Sequence, residues 1–484
     1  MGEVQGTLFS PDFNQSVIVE SRPERLSSDA GALLLRDLTD RLGLPGLIHR
    51  HLWDPRDPDR ITHPFLELFR TWVLFLAQGW RDQHDAKRLH EDPILRLAVS
   101  TRRGDGPLRP AERNVPDGLC SQATLSRLLY ILAQPANTAG LAQIVRQILR
   151  PVLQSGRTEI TLDLDSVPHE VHGHQPGSAY NSHYHVRCFH PLVASVEGRY
   201  FLGGQLRAGN VHTADGGLDF VLPILEWLCS FIPRVWLRVD AGFPAPQFLA
   251  TLEQKEIPYV CRLRSNAALE RLAASFLKRP RGRPPAQGRI WLHELSYRAR
   301  TWKRARRVVL VVLEHPDAQQ HLFLDHFFLL TSASAEEESA ESLLQRYRQR
   351  GCAESDFGAF KSTLAPTLSS SPRTKSHYQG RPLEEPYTAP DTFAANQAKL
   401  LLALLSANVL AIGADLLSRD EKSRMSRERF RTLLLKSGAR VLLGGRRITV
   451  VIQASMAHLW QRFRAALAEL PPVRGSPTRQ ALPT

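Results

Sequence analysis

The chain has 484 residues, enough for two to four domains. With 43% hydrophobic and 23% charged residues, it has the composition of a folded globular protein, which excludes a disordered chain. Lysine and arginine together number 62 against 48 acidic residues, and the resulting net charge of +14 favours nucleic acid as the partner.

Features of secreted and membrane proteins are missing from the sequence. The five cysteines lie far apart and form no CxxC pair, which argues against a disulfide framework and a cysteine-based zinc site and fits a reducing cytoplasm. Residues 1–15 contain no basic or apolar leader, so we expect no signal peptide. The longest apolar run, 400–417, contains Asn408 and Asp415 and predicts a buried helix, so we expect no membrane partner.

Changes in composition along the chain predict six regions: 1–155, 156–265, 266–325, 326–417, 418–470 and 471–484. The first is mostly helical in pattern, with a cap at 27–29 before one helix and an apolar helix at 65–79. The segment SQATLSRL at 121–128 is similar to the start of a helix-turn-helix recognition helix, although an ordinary capped helix is the favoured interpretation. We expect this region to contribute to DNA end binding.

The second region alternates strands and helices, which predicts an α/β core. Strands are expected at 158–165, 200–205, 235–239 and 259–263, and helices at 220–231 and 245–255. Asp165 ends the first of these strands, and Asp240 directly follows the third. Side chains at strand ends of an α/β sheet converge on one edge, so both are candidate site residues, the alternative being turn or cap residues.

The third region is a basic, β-rich insertion. Between residues 278 and 307 there are eleven Lys and Arg and one acid, with strands expected at 289–297 and 307–313. We expect four cations of its first loop to contact DNA: Lys278, Arg279, Arg281 and Arg283. Their PRGRP core also resembles an AT-hook, which inserts into A·T-rich minor grooves, although nonspecific phosphate contact is favoured.

Two tryptophans of the insertion, Trp291 and Trp302, are expected to pack within its small sheet; the alternative is stacking on a flipped base. The α/β pattern then resumes with a strand at 326–331, a helix at 335–364, a polar loop at 369–388 and a buried helix at 396–417. The last two regions are predicted to be a basic helical segment and a disordered tail.

Glu354, on the helix after the insertion, is the third candidate acid. With Asp165 and Asp240 it could hold two Mg²⁺ ions, or Mn²⁺, because hard oxygen ligands suit these cations. Two such ions stabilise the attacking and the leaving oxygen of phosphoryl transfer.

Glu354 also belongs to a pattern with Tyr347, Arg350 and Lys361. On one continuous helix these four side chains would lie within an arc of about 60°. The acid could hold a metal ion while its neighbours contact DNA phosphates. The alternative is a solvated charged face with pairs four residues apart.

The spacing Y-x2-R-x3-E-x6-K of this helix matches the Y-R-E-K signature of the group 1 DDE transposases of bacterial insertion sequences. The segment LDLDSVPHEVHGHQPGSAYNSHYHVRCFHPL resembles the one around their first aspartate, and LRVDAGF the one around their second. Other segments also resemble the family: SSDAGALLLRDL, SQATLSRL, HFFLLTS and LLKSGARVLLGGRRITV. The resemblance covers roughly residues 25–455.

This resemblance implies an RNase H-like α/β core interrupted by a β-rich insertion, with helical N-terminal and C-terminal regions. It implies that Asp165, Asp240 and Glu354 are the catalytic, metal-binding triad, and that the Tyr, Arg and Lys of the signature position phosphates of the element's DNA. Asp163 lies on the same strand face as Asp165 but fits less well, because the family's aspartate is followed by Ser or Thr, as Asp165 is by Ser166.

The resemblance further implies an enzyme that binds the terminal inverted repeats of its element, cleaves the ends and joins the 3′-OH to target DNA by two-metal-ion phosphoryl transfer. It would act on double-stranded DNA as a homodimer, in the bacterial cytoplasm at the nucleoid. Two alternatives stay open: an inactive transposase-derived DNA-binding protein, and a metal-dependent nuclease without strand transfer.

Six histidines between His169 and His190 match no standard metal site. We expect them to line the wall beside Asp165 or to contact DNA, the alternative being a dedicated metal site.

Overall fold

The computed structural model describes residues 7–109, 118–171, 175–279, 281, 287–315, 324–364, 366, 368, 375–378, 381–387, 392–419, 423–445 and 447–471. The described strands, numbered β1 to β18, are Thr7–Phe9, Val19–Glu20, Leu26–Ser27, Glu159–Ser166, His169–Glu170, Ala179–Asn181, Val186–Phe189, Leu192–Val196, Tyr200–Gln205, Arg234–Val239, Tyr259–Leu263, Arg289–Tyr297, Arg306–Glu314, Asp325–Thr331, Lys375–Tyr378, Arg381–Tyr387, Ala439–Leu443 and Ile448–Ile452. The described α-helices, numbered α1 to α16, are Ala32–Arg41, Leu44–His51, Phe65–Gln78, Asp85–Arg88, Pro93–Val99, Gln122–Leu132, Pro135–Gln147, Arg150–Leu153, Gly217–Cys229, Pro246–Gln254, Ala267–Ala273, Ala340–Arg348, Arg350–Leu364, Thr392–Leu417, Arg427–Phe430 and Ala457–Glu469.

The chain divides into two compact units. The first comprises Met1–Arg41, Asp54–Leu128 and Gly413–Leu470, and the second Leu42–Trp53, Leu129–Ile412 and Pro471–Thr484. All of the candidate site residues belong to the second unit.

The first unit brings together two segments that are far apart in the sequence. Asp29, which is fully buried before α1, pairs with Lys436, whose Nζ lies 2.6 Å from its Oδ1. Strands β17 and β18 form a three-stranded sheet with β3. The prediction of a helical C-terminal region is therefore wrong at these two strands, because the Gly-Gly turn at 444–445 between apolar, β-branched runs forms a hairpin.

One large sheet dominates the second unit, with strand order β12-β13-β14-β11-β10-β4-β8-β9. At its centre β4, β10 and β11 run parallel. On one side β8 and β9 continue from β4 as antiparallel neighbours, and on the other β14 pairs antiparallel with β11. The mixed α/β fold predicted from the sequence is confirmed at this level.

The insertion strands continue this sheet. Strand β12 pairs with β13 along its full length, and β13 pairs with β14, so the small separate sheet expected from the sequence is not formed by these strands. Trp302 is 7% exposed and packs against Tyr297 and the guanidinium of Arg306. It therefore has a packing role, as the favoured interpretation expected.

Helix α14 covers the edge strand β9. Asn408 accepts a hydrogen bond from the backbone N–H of Phe201 and donates one to its carbonyl, both at 2.8 Å, and Gln397 pairs in the same way with Leu206 and Gly204. These amides satisfy an edge that would otherwise be open for pairing. By length and composition α14 could cross a membrane, but 94% of its most apolar window is buried within the protein, as in a core helix.

Two other expectations differ from the structure. The helix predicted at 335–364 is divided into α12 and α13 at Gln349, whose ψ of −9° interrupts the regular helix. The predicted polar loop at 369–388 contains the antiparallel pair β15–β16 in its described part, because its polar composition hides an extended pattern. The tail after residue 471 lies outside the described residues.

Candidate active site

Asp165 and Asp240 lie side by side at one edge of the large sheet. Strands β4 and β10 are parallel neighbours in which Leu164 opposes Val239, so each aspartate occupies the next position. Neighbouring strands are about 4.8 Å apart. Each carboxylate accepts a hydrogen bond from its own turn, from the N–H of Ser166 at 2.8 Å and from that of Gly242 at 2.7 Å. Two carboxylates therefore meet at the carboxyl ends of parallel strands.

The alternating sequence EITLDLD determines which face of β4 carries these acids. Ile160, Leu162 and Leu164 are buried on one face. The other face presents four polar residues: Glu159, Thr161, Asp163 and Asp165. Arginines from neighbouring elements pair with each of them.

The first three pairs are structural. Arg346 of α12 lies 2.9 Å from Glu159 and donates to Thr161 at 3.1 Å. Arg238 of β10 binds both carboxylate oxygens of Asp163, at 2.5 and 2.8 Å, and the two side chains are only 2% and 3% exposed. Arg238 also donates to the Arg346 carbonyl. Asp163 is thus enclosed in the core, whereas Asp165 is 15% exposed.

Two described side chains of the Y-R-E-K signature lie at the end of β4, and the third packs further along the sheet. Arg350 Nη2 lies 2.8 Å from Asp165 Oδ2, and Lys361 donates to the Pro168 carbonyl at 2.5 Å. Burial lowers the pKa of Lys361. Tyr347 packs against Phe327 beside the buried core, and burial, with a smaller contribution from Asp240, raises its pKa.

Glu354 lies on α13, four residues after Arg350 and so about 6 Å further along the helix. Its side chain is outside the described part of the structure. The structure thus places its backbone on the helix that carries Arg350 to Asp165, and does not describe its carboxylate.

The basic loop of the insertion is not brought to the acid pair. Arg279 Nε lies 2.7 Å from the buried carboxylate of Glu314 at the end of β13. Strand β13 is four positions from β4, or about 19 Å across the sheet. Lys278 and Arg281 belong to the same loop, and Arg283 lies outside the described residues. Glu314 opposes Arg289, so the loop reaches the sheet at the same edge as the two aspartates.

A histidine-rich hairpin, formed by β6 and β7, lies beside the acids and carries a residue that the sequence did not single out. Tyr184, 37% exposed, has its pKa raised by burial and also by Asp165 and Asp240, which lie within electrostatic range of its phenol. Its ring contacts His183 and His190 edge to face. The hairpin thus forms a wall near the acids, while His172 and His174 lie outside the described residues. The one available signal was an aromatic residue among histidines in the family-like segment.

The sequence did not single out Arg207 as a site residue either. It is 7% exposed, and its Nη1 donates to the carbonyls of His212, Thr213 and Asp215 at 3.2, 3.1 and 2.6 Å. Its Nε donates to the His190 carbonyl at 2.9 Å, and burial lowers its pKa to about 10. This single guanidinium fixes the loop that borders both aspartates.

The chemistry of the acid pair fits a divalent cation. Asp165 and Asp240 supply hard oxygen donors from adjacent strand ends, and the guanidinium beside Asp165 shows that the site accommodates positive charge. Among the described residues, no group of three or more His, Cys, Asp or Glu could hold a metal ion, so the histidine-rich hairpin forms no such centre there.

The family model of the transposase DDE domain group 1 matches residues 9–379, and the chain therefore belongs to the group 1 DDE transposase family. This confirms the resemblance seen in the sequence. No curated protein matches the chain. Among solved structures, the chain is similar to the piggyBac transposase synaptic complex with hairpin DNA, with 12% identity, 83% of this chain and 77% of that chain covered, and a TM-score of 0.38. The protein is a transposase, of a class that transfers nucleotidyl groups and generally uses divalent metal ions.

Proposed function

We propose that this transposase cleaves DNA at the ends of its own insertion sequence and joins the freed 3′-OH to target DNA. The observation that carries the proposal is the register of β4 and β10, which sets Asp165 beside Asp240, with Arg350 of the signature helix bound to Asp165. Two acids and a phosphate-binding cation at one open sheet edge suit phosphoryl transfer.

The strand order supports an RNase H-like layout for the core. Around β4 the order is β9-β8-β4-β10-β11, with an antiparallel meander on one side and two parallel strands on the other. Such a layout puts the first and second aspartates on the two central strands. Strand β14 pairs with β11, and the insertion strands β12 and β13 then extend the sheet beyond β14.

In this proposal Asp165, Asp240 and Glu354 hold two Mg²⁺ ions, with Mn²⁺ as a substitute. When bound, the ions would neutralise phosphate charge and assist deprotonation of the attacking hydroxyl. Arg350 turns between Asp165 and a DNA phosphate, which a bidentate guanidinium binds well. Lys361 adds a cation below the same strand end. The side chains form no covalent intermediate, because positioning and charge neutralisation provide the catalysis.

The proposed partner is double-stranded DNA, both the terminal inverted repeats and the target. Arg279 of the basic insertion loop pairs with Glu314 at the edge that carries the acids, and a net charge of +14 supports binding along a phosphate backbone. We further propose a homodimer that holds two element ends, working at the nucleoid in the bacterial cytoplasm.

The test is cleavage of labelled DNA that carries the element end and its native flank, in Mg²⁺ or in EDTA. Wild type runs beside Glu354→Gln and the matched control Glu341→Gln, an exposed acid on α12. We expect Mg²⁺-dependent cutting at the element boundary and joining to a target plasmid, both lost in Glu354→Gln with DNA binding kept, and both retained in the control.

The other outcomes identify the alternatives. Cutting without joining would indicate a nuclease, and binding without cutting by wild type would indicate an inactive DNA-binding descendant. Equal cutting by Glu354→Gln would remove Glu354 from the triad.

A further inference from the structure

The turn between β6 and β7 is held in one conformation. Asn181 Oδ1 accepts hydrogen bonds from the backbone N–H groups of His183 and Tyr184, at 3.0 and 3.3 Å. His185 has a φ of 57°, in the left-handed region that residues other than glycine rarely adopt. Tyr184 is therefore presented at the tip by a built turn.

The hairpin is seated firmly on the segment 208–211. Asn181 Nδ2 donates to the Gly209 carbonyl at 2.7 Å, and a Cβ on Gly209 would lie 2.1 Å from the Cys188 carbonyl oxygen. The His190 Nδ1 lies 3.1 Å from the Val211 carbonyl oxygen. The hairpin and this segment therefore form one packed body.

The same segment leads to the turns that carry the acids. The Thr213 hydroxyl oxygen lies 3.4 Å from Ser166 Oγ. A Cβ added to Gly242 would lie 3.0 Å from the Thr213 Cγ2. Arg207 holds the Thr213 backbone and the His190 carbonyl at once. The tip of the hairpin is thus fixed relative to Asp165 and Asp240 through a continuous set of contacts.

We propose that Tyr184 is a stacking site for a nucleobase displaced from the duplex beside the phosphate that the acid pair processes. This inference rests on the proposed function. The Tyr184 ring makes edge-to-face contacts with His183 and His190, with ring centroids 4.7 and 5.8 Å apart. These contacts support the ring and leave 37% of Tyr184 exposed. Every base offers a π-face, so an aromatic platform accepts any sequence.

The geometry also explains why the platform would stand here. The carboxylates are recessed at the strand ends, with Asp165 only 15% exposed. A phosphate must leave the regular duplex path to reach them, and a base unstacked by that movement needs a new partner. Of the two tryptophans considered from the sequence, Trp302 is buried between β12 and β13, and Trp291 lies on β12, five strand positions from β4, so neither stands beside the acids.

The experiment compares two duplexes of the element end in EDTA, where no cleavage occurs. One carries a mispaired nucleotide beside the cleavage position, and the other an abasic site there. Binding is measured by fluorescence anisotropy for wild type, Tyr184→Ala, Tyr184→Phe and Tyr180→Ala. Tyr180 is the matched control because it is a tyrosine of the same hairpin and is 56% exposed.

We expect wild type, Tyr184→Phe and Tyr180→Ala to prefer the base-containing duplex by about tenfold, the scale of one base–aromatic stack. Tyr184→Ala should lose that preference, bind the abasic duplex as wild type does, and keep the wild-type melting curve. Retention of the preference in Tyr184→Ala, or its absence in wild type that still cleaves the element end in Mg²⁺, would overturn this inference and leave the proposed function standing. A wild type that does not bind element-end DNA would overturn both.

Discussion

Asp163 and Asp165 lie two residues apart on one strand face, and the structure predicts opposite consequences for the same substitution at each. Asp163→Asn should destabilise the protein with little direct effect on chemistry. Asp165→Asn should abolish DNA cleavage with little effect on stability. The reason is the surroundings of each carboxylate, since both have an arginine partner.

The magnitudes follow from burial. The Asp163–Arg238 pair is 2–3% exposed and is held by two hydrogen bonds, so loss of the carboxylate leaves a buried guanidinium uncompensated. Breaking such a pair costs about 3–5 kcal/mol. The Asp165–Arg350 pair has side chains 15% and 16% exposed, and Arg350 can remain hydrated after the change. We expect a cost of about 1 kcal/mol or less there.

Equilibrium unfolding in urea, followed by tryptophan fluorescence, and Mg²⁺-dependent cleavage below the unfolding transition give the two readouts. The double variant Asp163→Leu with Arg238→Met should recover most of the lost stability, since an apolar pair of similar volume replaces a buried ion pair well. A larger stability loss for Asp165→Asn than for Asp163→Asn would refute the reasoning. So would loss of cleavage by Asp163→Asn at unchanged stability.

Three other variants test separate parts of the second unit. Arg207→Met removes four hydrogen bonds to carbonyls beside the acids. It should lower the cleavage rate in single-turnover assays by about a hundredfold and leave DNA affinity unchanged. Equal losses of cleavage rate and DNA affinity would contradict a positioning role. Burial lowers the pKa of His169 from 6.5 to about 4, so the folded state resists protonation of this side chain. The free energy of unfolding should therefore fall by up to about 3 kcal/mol as the pH is lowered from 6.5 to 4. Urea titrations should show that His169→Gln lacks most of this pH-dependent loss. Gly140→Ala places a Cβ 1.9 Å from the His51 carbonyl oxygen, so the melting temperature of this variant should fall. It should lie well below that of the control Gly216→Asn at an exposed position. There the added Cβ meets nothing within 4 Å, and asparagine tolerates the φ of 69°.

Several strands of the large sheet could be predicted from local pattern. Strands β9, β11 and β12 have the bounds expected from their apolar and β-branched runs. The positions of Asp165 and Asp240 at strand ends predicted their convergence, because parallel neighbours end at one edge. These inferences needed only periodicity and the geometry of parallel strands.

Features set by tertiary contacts could not be predicted in this way. The break at Gln349 changes the projection of Tyr347 relative to Arg350, and no glycine or proline at that position marks it. Arg207 is one of many arginines in the sequence, and its role depends on four carbonyls that only the fold assembles. The role of Tyr184 likewise depends on the packing of its hairpin, which only the fold provides.

The polar face of β4 shows how a structural pattern can become a site. Arginine pairs with a polar side chain at each step along this face, and the pair at Asp163 is closed by burial. At the carboxyl end, where the strand leaves the sheet, the Asp165–Arg350 pair is partly solvated, so its guanidinium can exchange for another cation at small cost. The same chemistry therefore stabilises the strand along most of its length and is available to a ligand at its end. Asp165 differs from Asp163 by position, not by residue type, and position is what the register of β10 and the loop held by Arg207 determine.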